Sequence, residues 1–273
     1  MVNFRGQANP SHVSPVMQEY LAEAYRVASY QTDSDWVSTT DLADRMGVSP
    51  PAVARMVGRL KKRGLIEHEP YQGMRLTPAG RREALHYLRQ HRLTEMFLVR
   101  VMGFGWHEVH GEAEALGPAV SERVADRMNE LAGRPQRCPH GEPIPTADGR
   151  MPRVVDKVLT AITPPASLVI SRVNTDDPEK LIYLAELGLT PGQPFEFVSR
   201  APFEGPLRLR IEDHEQVIGV ELAGVLRVCA PQDFLLTEFE DDSNDADESP
   251  EGSGLPTRKR RRRRGKQPPV TSI

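Results

Sequence analysis

Residues 37–66, VSTTDLADRMGVSPPAVARMVGRLKKRGLI, constrain the fold more than any other stretch of the chain. A short helix is predicted after a Ser38 or Thr39 cap, with Leu42, Ala43 and Met46 turned inward. Gly47 then supplies the tight turn, since glycine takes the left-handed conformation at no steric cost. Ser49 and Pro50–Pro51 open a second helix whose buried row is Val53, Val57 and Leu60. Its other face carries Ala52, Arg55 and Arg59, and its end carries Lys61, Lys62 and Arg63. Two short helices about a glycine turn, the second small and basic on its outer face, read as a helix-turn-helix. LIEHEP and MRLTP, either side of Tyr71-Gln72-Gly73, add a hairpin wing. Small outward residues let such a helix approach base edges, and arginine pairs bidentately with guanine or holds phosphate. The expected DNA-binding residues are Ser49, Pro51, Ala52, Arg55, Arg59 and Tyr71, with Ser49 and Tyr71 on phosphate. An earlier helix starts at Ser14-Pro15, with Met17, Leu21 and Ala24 at helical spacing. The expected organisation is a flexible arm over 1–13 and a winged helix-turn-helix domain over 14–77.

Charge tells where any nucleic-acid contact must come from. The formal net charge is −3, but residues 258–266 hold eight of the 35 basic residues. Residues 1–240 carry 27 basic against 32 acidic groups. Such a body cannot hold DNA by bulk charge, so the contact must be a local basic surface. Cys138 and Cys229 form no disulfide framework, and no apolar run reaches membrane-spanning length. With no charged-then-apolar leader either, a cytoplasmic location and no membrane partner are expected.

Beyond the wing, Thr77-Pro78 starts a long helix to about residue 101, which contains HRLTE at 91–95. Met102-Gly103-Phe104-Gly105 breaks it. A second long helix is expected from about Trp106 to Leu131, with an apolar row through Val109, Ala113, Leu116, Val120, Val124, Met128 and Leu131. A row of that length suggests a dimer interface, which suits a two-fold DNA site. His91 and Glu95 are four residues apart, as are His110 and Glu114, so each pair shares one helix face. Two such helices side by side would offer a mixed nitrogen and oxygen set to a divalent transition metal, although such pairs also commonly just solvate a helix. This helical domain is placed at 78–132. Residues 133–157 are rich in Pro and Gly and read as a linker, with Cys138-Pro-His140 taken as a proline-stiffened turn and not a zinc half-site. His107 is expected to be an exposed histidine.

Residues 158–230 hold short β-type runs, SLVISRV, PFEFVSR, LRLRIED and VIGVELAGVLRV, with a helix PEKLIYLAELG ended by Gly188. They read as an SH3-like β-barrel. Residues 231–273 are expected to be a disordered tail, acidic and then basic. The fold class is therefore mainly α with a small β domain.

Several motifs in this order resemble the diphtheria-toxin-repressor family of iron- and manganese-dependent transcription regulators. They are EYLAEAY, VSPPAVARMVGRLKKRGLI, MRLTPAGR, HRLTE, EVHGEAE, CPHGEPIP and LAELGLTPG, and the resemblance covers about 14–230. It implies a homodimeric winged-helix repressor of metal-uptake or metal-homeostasis genes, binding double-stranded operator DNA, with Mn²⁺ or Fe²⁺ as cofactor. No small organic substrate and no enzymatic activity are expected. It implies a third domain similar to the small ferrous-iron-transport type A domain. His91, Glu95 and His110 match the family's ancillary site, Glu19 its first-helix ligand and Glu114 a further ligand. The next two family ligands align with Gly117 and Pro118, neither of which has a metal-binding side chain. Asn174 to Asp177 lie where some members contribute third-domain ligands, without a firm assignment. The departure at Gly117-Pro118 keeps open a regulator that has lost metal control. A metallohydrolase would leave the helix-turn-helix unexplained.

Overall fold

The structure is a computed structural model and describes residues 13–31 and 34–240. The winged helix-turn-helix forms as its sequence predicts. Helix α1 (Pro15–Tyr30) starts at Ser14, whose Oγ accepts the Met17 N–H at 3.4 Å. Ser38 caps α2 (Thr39–Met46) by accepting the Asp41 N–H at 3.0 Å, and Gly47 ends it at φ 62°. Helix α3 (Pro50–Lys62) follows, then the wing strands β1 (Ile66–Glu69) and β2 (Gly73–Leu76), paired antiparallel with Ile66 opposite Leu76. Leu21, Leu42, Val53, Leu60 and Met74 pack into one core with Leu85 and Leu88 of α4 (Pro78–Arg100). Thr77 caps α4, its Oγ1 accepting the Gly80 N–H at 3.2 Å.

The expected second long helix is three pieces. They are α5 (Val109–Leu116), a 3₁₀ turn over Gly117–Ala119, and α6 (Glu122–Leu131). Pro118 has no N–H to continue the ladder, and Ser121 caps a fresh start by accepting the Val124 N–H at 3.4 Å. The apolar row divides accordingly. Val109, Ala113 and Val120 are buried, while Leu116, Val124 and Leu131 are exposed.

Residues 133–156 lack regular structure, as their composition predicts, but they are not a loose linker. Cys138, His140, Ile144 and Met151 are buried. Two buried arginines of α4 bind this segment's carbonyls, Arg89 at Pro145 (3.0 Å) and Arg92 at Pro143 (2.6 Å). Compositional reading registers the prolines, not the guanidiniums waiting for their carbonyls.

The third domain contains β3 (Lys157–Val158), β4 (Ala166–Val173), α7 (Pro178–Glu186), β5 (Pro194–Arg200), β6 (Leu207–Ile211), β7 (His214–Ile218), α8 (Val220–Gly224) and β8 (Leu226–Cys229). Its six strands run β3-β8-β4-β5-β6-β7. This is an open sheet, not the closed barrel expected, since among the described residues the edge strands β3 and β7 do not pair. With two residues, β3 is too short to offer a closing ladder. The run VIGVELAGVLRV is likewise the end of β7, the single turn α8, and β8. Ile170, Phe197, Leu209 and Leu226 fill the core.

A buried ionic joint ties this sheet to the helices. The Asp156 carboxylate accepts from Arg172 Nε and Nη2 at 2.7 and 2.8 Å and from Arg227 Nε at 2.6 Å. Both guanidiniums lie over the Tyr30 ring of α1, at 4.7 and 5.1 Å, and the Tyr30 hydroxyl donates to Glu142. Residues 231–240, expected to begin the tail, instead pack back on the body. Arg137 donates to the Phe234 carbonyl at 2.9 Å, and Glu240 accepts from Tyr25 Oη at 2.7 Å and Arg81 at 2.6 Å. The remainder of the expected tail, with its basic run, and residues 1–12 of the expected arm lie outside the described residues. Among those described, no helix is long and apolar enough to cross a membrane.

Candidate metal centre

Helix α4 places His91 and Glu95 one turn apart on its buried face. Leu98 of α4 packs against Val109 and Ala113, and this contact sets α5 beside α4 with His110 facing the pair. His91 Nε2 lies 3.2 Å from Glu95 Oε1, His110 Nδ1 lies 3.3 Å from the same oxygen, and the two nitrogens are 3.3 Å apart. The three atoms form a nearly equilateral triangle. Ligand atoms around one ion with bonds of about 2.1 Å are separated by roughly 3.0–3.4 Å, so the triangle matches one face of a coordination polyhedron. The residues fit a divalent transition ion.

The segment after α6 adds a second group, at the proline-stiffened turn that the sequence predicts. Cys138 and His140 come within coordination range of Glu95, and His140 Nδ1 is 3.6 Å from Glu95 Oε1. The turn is held from both sides. Gly141 N–H donates to the Cys138 carbonyl at 2.9 Å, and Val173 N–H of β4 donates to the His140 carbonyl at 2.9 Å. Gly141 sits at φ 88°, where a Cβ would overlap the Ser171 carbonyl oxygen, so only glycine lets the turn lie this close to β4. His140 Nε2 is 2.9 Å from the Trp106 carbonyl, which can only accept, so Nε2 donates its hydrogen there and Nδ1 faces the pocket. The signal was present in the sequence as C-P-H, but its partner Glu95 is 43 residues earlier and no spacing rule links them.

A cavity of about 50 Å³ opens on this cluster, and Arg26, Arg45, Asn174 and Asp176 also line it. Asp176 Oδ2 is 3.8 Å from Arg45 Nη1, and Arg45 Nε is 2.9 Å from Glu23. Arg45 belongs to α2, so the winged helix-turn-helix has a side chain in the wall of the pocket.

Electrostatics separate the members. Burial opposes charge on Glu95, but the adjacent imidazoles hold its pKa well below the usual carboxylate range. Burial also opposes charge on His110 and His140, yet hydrogen bonds outweigh it. His110 is lifted to about 9 by Glu114 and Glu95, and His140 to about 11 by Cys138 and Glu95. Burial lowers His91 and raises the Cys138 thiol. Coordination needs the lone pairs, so a cation entering here would displace protons.

The other expected ligands are placed less centrally. Glu114 Oε1 is 3.3 Å from His110 Nε2, the nitrogen on the far side of the ring from the triangle. Glu19 is half-buried on α1, and burial and the nearby Glu114 and Glu23 carboxylates raise its pKa. His107 is half-buried, not exposed, and lies outside both groups. Of the expected DNA-binding residues, Ser49, Pro51, Arg55, Arg59 and Tyr71 are exposed and Ala52 is half-buried.

Comparison with known proteins covers most of the described body. Three family models match in tandem. They are the iron dependent repressor N-terminal DNA binding domain over 12–74, the iron dependent repressor metal binding and dimerisation domain over 77–146, and the FeoA domain over 157–228. A solved manganese-dependent transcriptional repressor in complex with manganese is 35% identical, with a TM-score of 0.73, over 78% of this chain and 99% of its own. The chain belongs to the iron-dependent repressor family. Two curated repressors are also similar. IdeR of Mycobacterium tuberculosis is 34% identical over 125 residues, 45% of this chain, and the chain spans about half of that relative's length (54%). The diphtheria toxin repressor of Corynebacterium diphtheriae is 25% identical over 218 residues, 76% of this chain and 95% of its own.

Proposed function

We propose that this chain is a cytoplasmic, metal-dependent transcriptional repressor, not an enzyme, that binds operator DNA as a homodimer when Mn²⁺ or Fe²⁺ occupies the cluster around Glu95. The observation that carries this reading is the triangle of His91 Nε2, Glu95 Oε1 and His110 Nδ1, with edges of 3.2 and 3.3 Å. Cys138, His140 and Asp176 surround the same cavity and would complete the ligand set. A bound ion would supply positive charge at a fixed point between the three domains. The thiol of Cys138 favours Fe²⁺ over Mn²⁺, since sulfur is the softer ligand. Arg45 would pass the change to the helix-turn-helix, because Asp176 and Glu23 are its partners and Asp176 lines the cavity. Regulation would then be a population shift, the cation binding better to the DNA-competent arrangement.

The proposed domains are a winged helix over 14–77, a metal-binding and dimerisation domain over 78–132 extended by the 133–156 segment, and the FeoA-like domain beyond. Exposed Val124 and Leu131 share one face of α6 and are proposed to lie in the dimer interface. Replacing both with aspartate is expected to yield monomers by analytical ultracentrifugation.

The DNA half is tested by binding to upstream fragments, with chelator or with added Mn²⁺. Arg55→Ala is expected to weaken sequence-specific binding by about 1–3 kcal/mol. Arg59→Ala is expected to reduce the dependence of log K on log salt by about one. Operator binding of equal strength in chelated protein would show that the winged helix acts without metal control.

A further inference from the structure

His110 uses its two ring nitrogens in different directions. Nδ1 faces the triangle, 3.3 Å from both His91 Nε2 and Glu95 Oε1, and Nε2 faces Glu114 Oε1 at 3.3 Å. A neutral imidazole has one lone pair and one N–H. If the lone pair points at the triangle, the N–H points at Glu114.

We infer, on the reading that the triangle holds a divalent cation, that Glu114 is a positioning residue that fixes His110 through its outer nitrogen and is not itself a ligand.

Three further observations support this. The Glu114 side chain is 53% exposed, whereas Glu95 is buried, so Glu114 stands at the rim. Helix α5 ends two residues later at Leu116 and gives way to a 3₁₀ turn over Gly117–Ala119, so no further helical turn brings a donor beside Glu114. Residues 117 and 118 are glycine and proline, whose side chains have no donor atoms. The other imidazoles give a comparison. His140 has an outer partner in the Trp106 carbonyl, while His91 Nδ1 is buried without a hydrogen-bond partner among the described residues. An outer carboxylate fixes the tautomer and ring orientation and makes the ligand nitrogen more basic, and its loss typically costs 10–100-fold in metal affinity.

The test is anaerobic titration of the full chain with Co²⁺, followed by its visible d–d absorption. Glu114→Ala is expected to bind about 10–100-fold more weakly, with the band positions and intensities of the wild type, because the ligands are unchanged. Glu114→Gln keeps an oxygen that accepts the N–H and is expected to recover most of the affinity. Unchanged affinity in Glu114→Ala overturns the inference, and so does an altered band envelope, which would make Glu114 a ligand. Failure of the underlying metal reading looks different, because Glu95→Ala would then bind Co²⁺ as the wild type does.

Discussion

Replacing Glu95 with alanine is expected to abolish tight divalent-cation binding, and with it any stimulation of DNA binding by Mn²⁺ or Fe²⁺. Oε1 of this one side chain lies 3.2 Å from His91, 3.3 Å from His110 and 3.6 Å from His140. Both candidate ligand groups, His91–Glu95–His110 and Glu95–Cys138–His140, depend on it. It is also a buried negative charge of the pocket, held ionised by the imidazoles around it. Without it a cation would meet imidazoles and a neutral thiol, with Asp176 as the one carboxylate left in the proposed ligand set. The loss should exceed the 10–100-fold typical of an outer partner. Glu95→Gln separates charge from shape, since the amide keeps the volume and one oxygen. If charge is the main contribution, glutamine should be nearly as damaging as alanine. Calorimetric titration with Mn²⁺, beside anisotropy of labelled DNA with and without the metal, measures both effects. Wild-type affinity in Glu95→Ala would falsify the placement of the site.

The residues of this site differ in how far the sequence announces them. His91 and Glu95 lie one helical turn apart, a local spacing that any long α4 must turn into one face. His110 is 19 residues on, and its arrival depends on α5 returning along α4, which the Met102–Gly105 break permits. Cys138 and His140 carry no such local mark. Their place is set by Arg89 and Arg92, which draw a proline-rich segment across α4, and by Gly141, which lets it touch β4. Those are pairings between distant residues, invisible to periodicity. The winged helix was legible nearly element by element because caps, turn glycine and basic face are all local features. The expected single helix over 106–131 failed for a related reason. Its apolar row continues through Pro118 at helical spacing, although proline cannot continue the hydrogen-bond ladder. The open sheet was likewise hidden, since strand propensity reports that strands exist and not whether the first meets the last.

The pocket is only as well placed as the joint behind it, and Asp156→Ala is expected to destabilise the protein by about 3–5 kcal/mol, the usual cost of removing one partner from a buried ion pair. The Asp156 side chain is 1% exposed and serves two arginines, Arg172 bidentately and Arg227 through Nε. Its removal leaves two guanidiniums stacked on the Tyr30 ring, with Arg172 keeping only the longer contact to Glu142 at 3.4 Å. Tyr30 ends α1, and Arg172 lies on the β4 strand that holds His140, so the strain falls between the winged helix-turn-helix and the pocket around Glu95. A lowered urea midpoint at pH 7 is the direct readout. The pH dependence gives a second. Burial opposes the Asp156 charge, but the arginines outweigh it and hold the carboxyl below its ordinary 3.8. Above that pH the folded and unfolded carboxyls are both ionised and the joint contributes fully. As pH falls below 3.8 the unfolded chain takes up its proton first, so the contribution shrinks and is lost once the folded carboxyl also protonates. The stability difference between wild type and Asp156→Ala should therefore be largest at neutral pH and close in acid. A difference that stayed constant through that range would mean the joint works by shape and packing, and the charged pairing would contribute nothing.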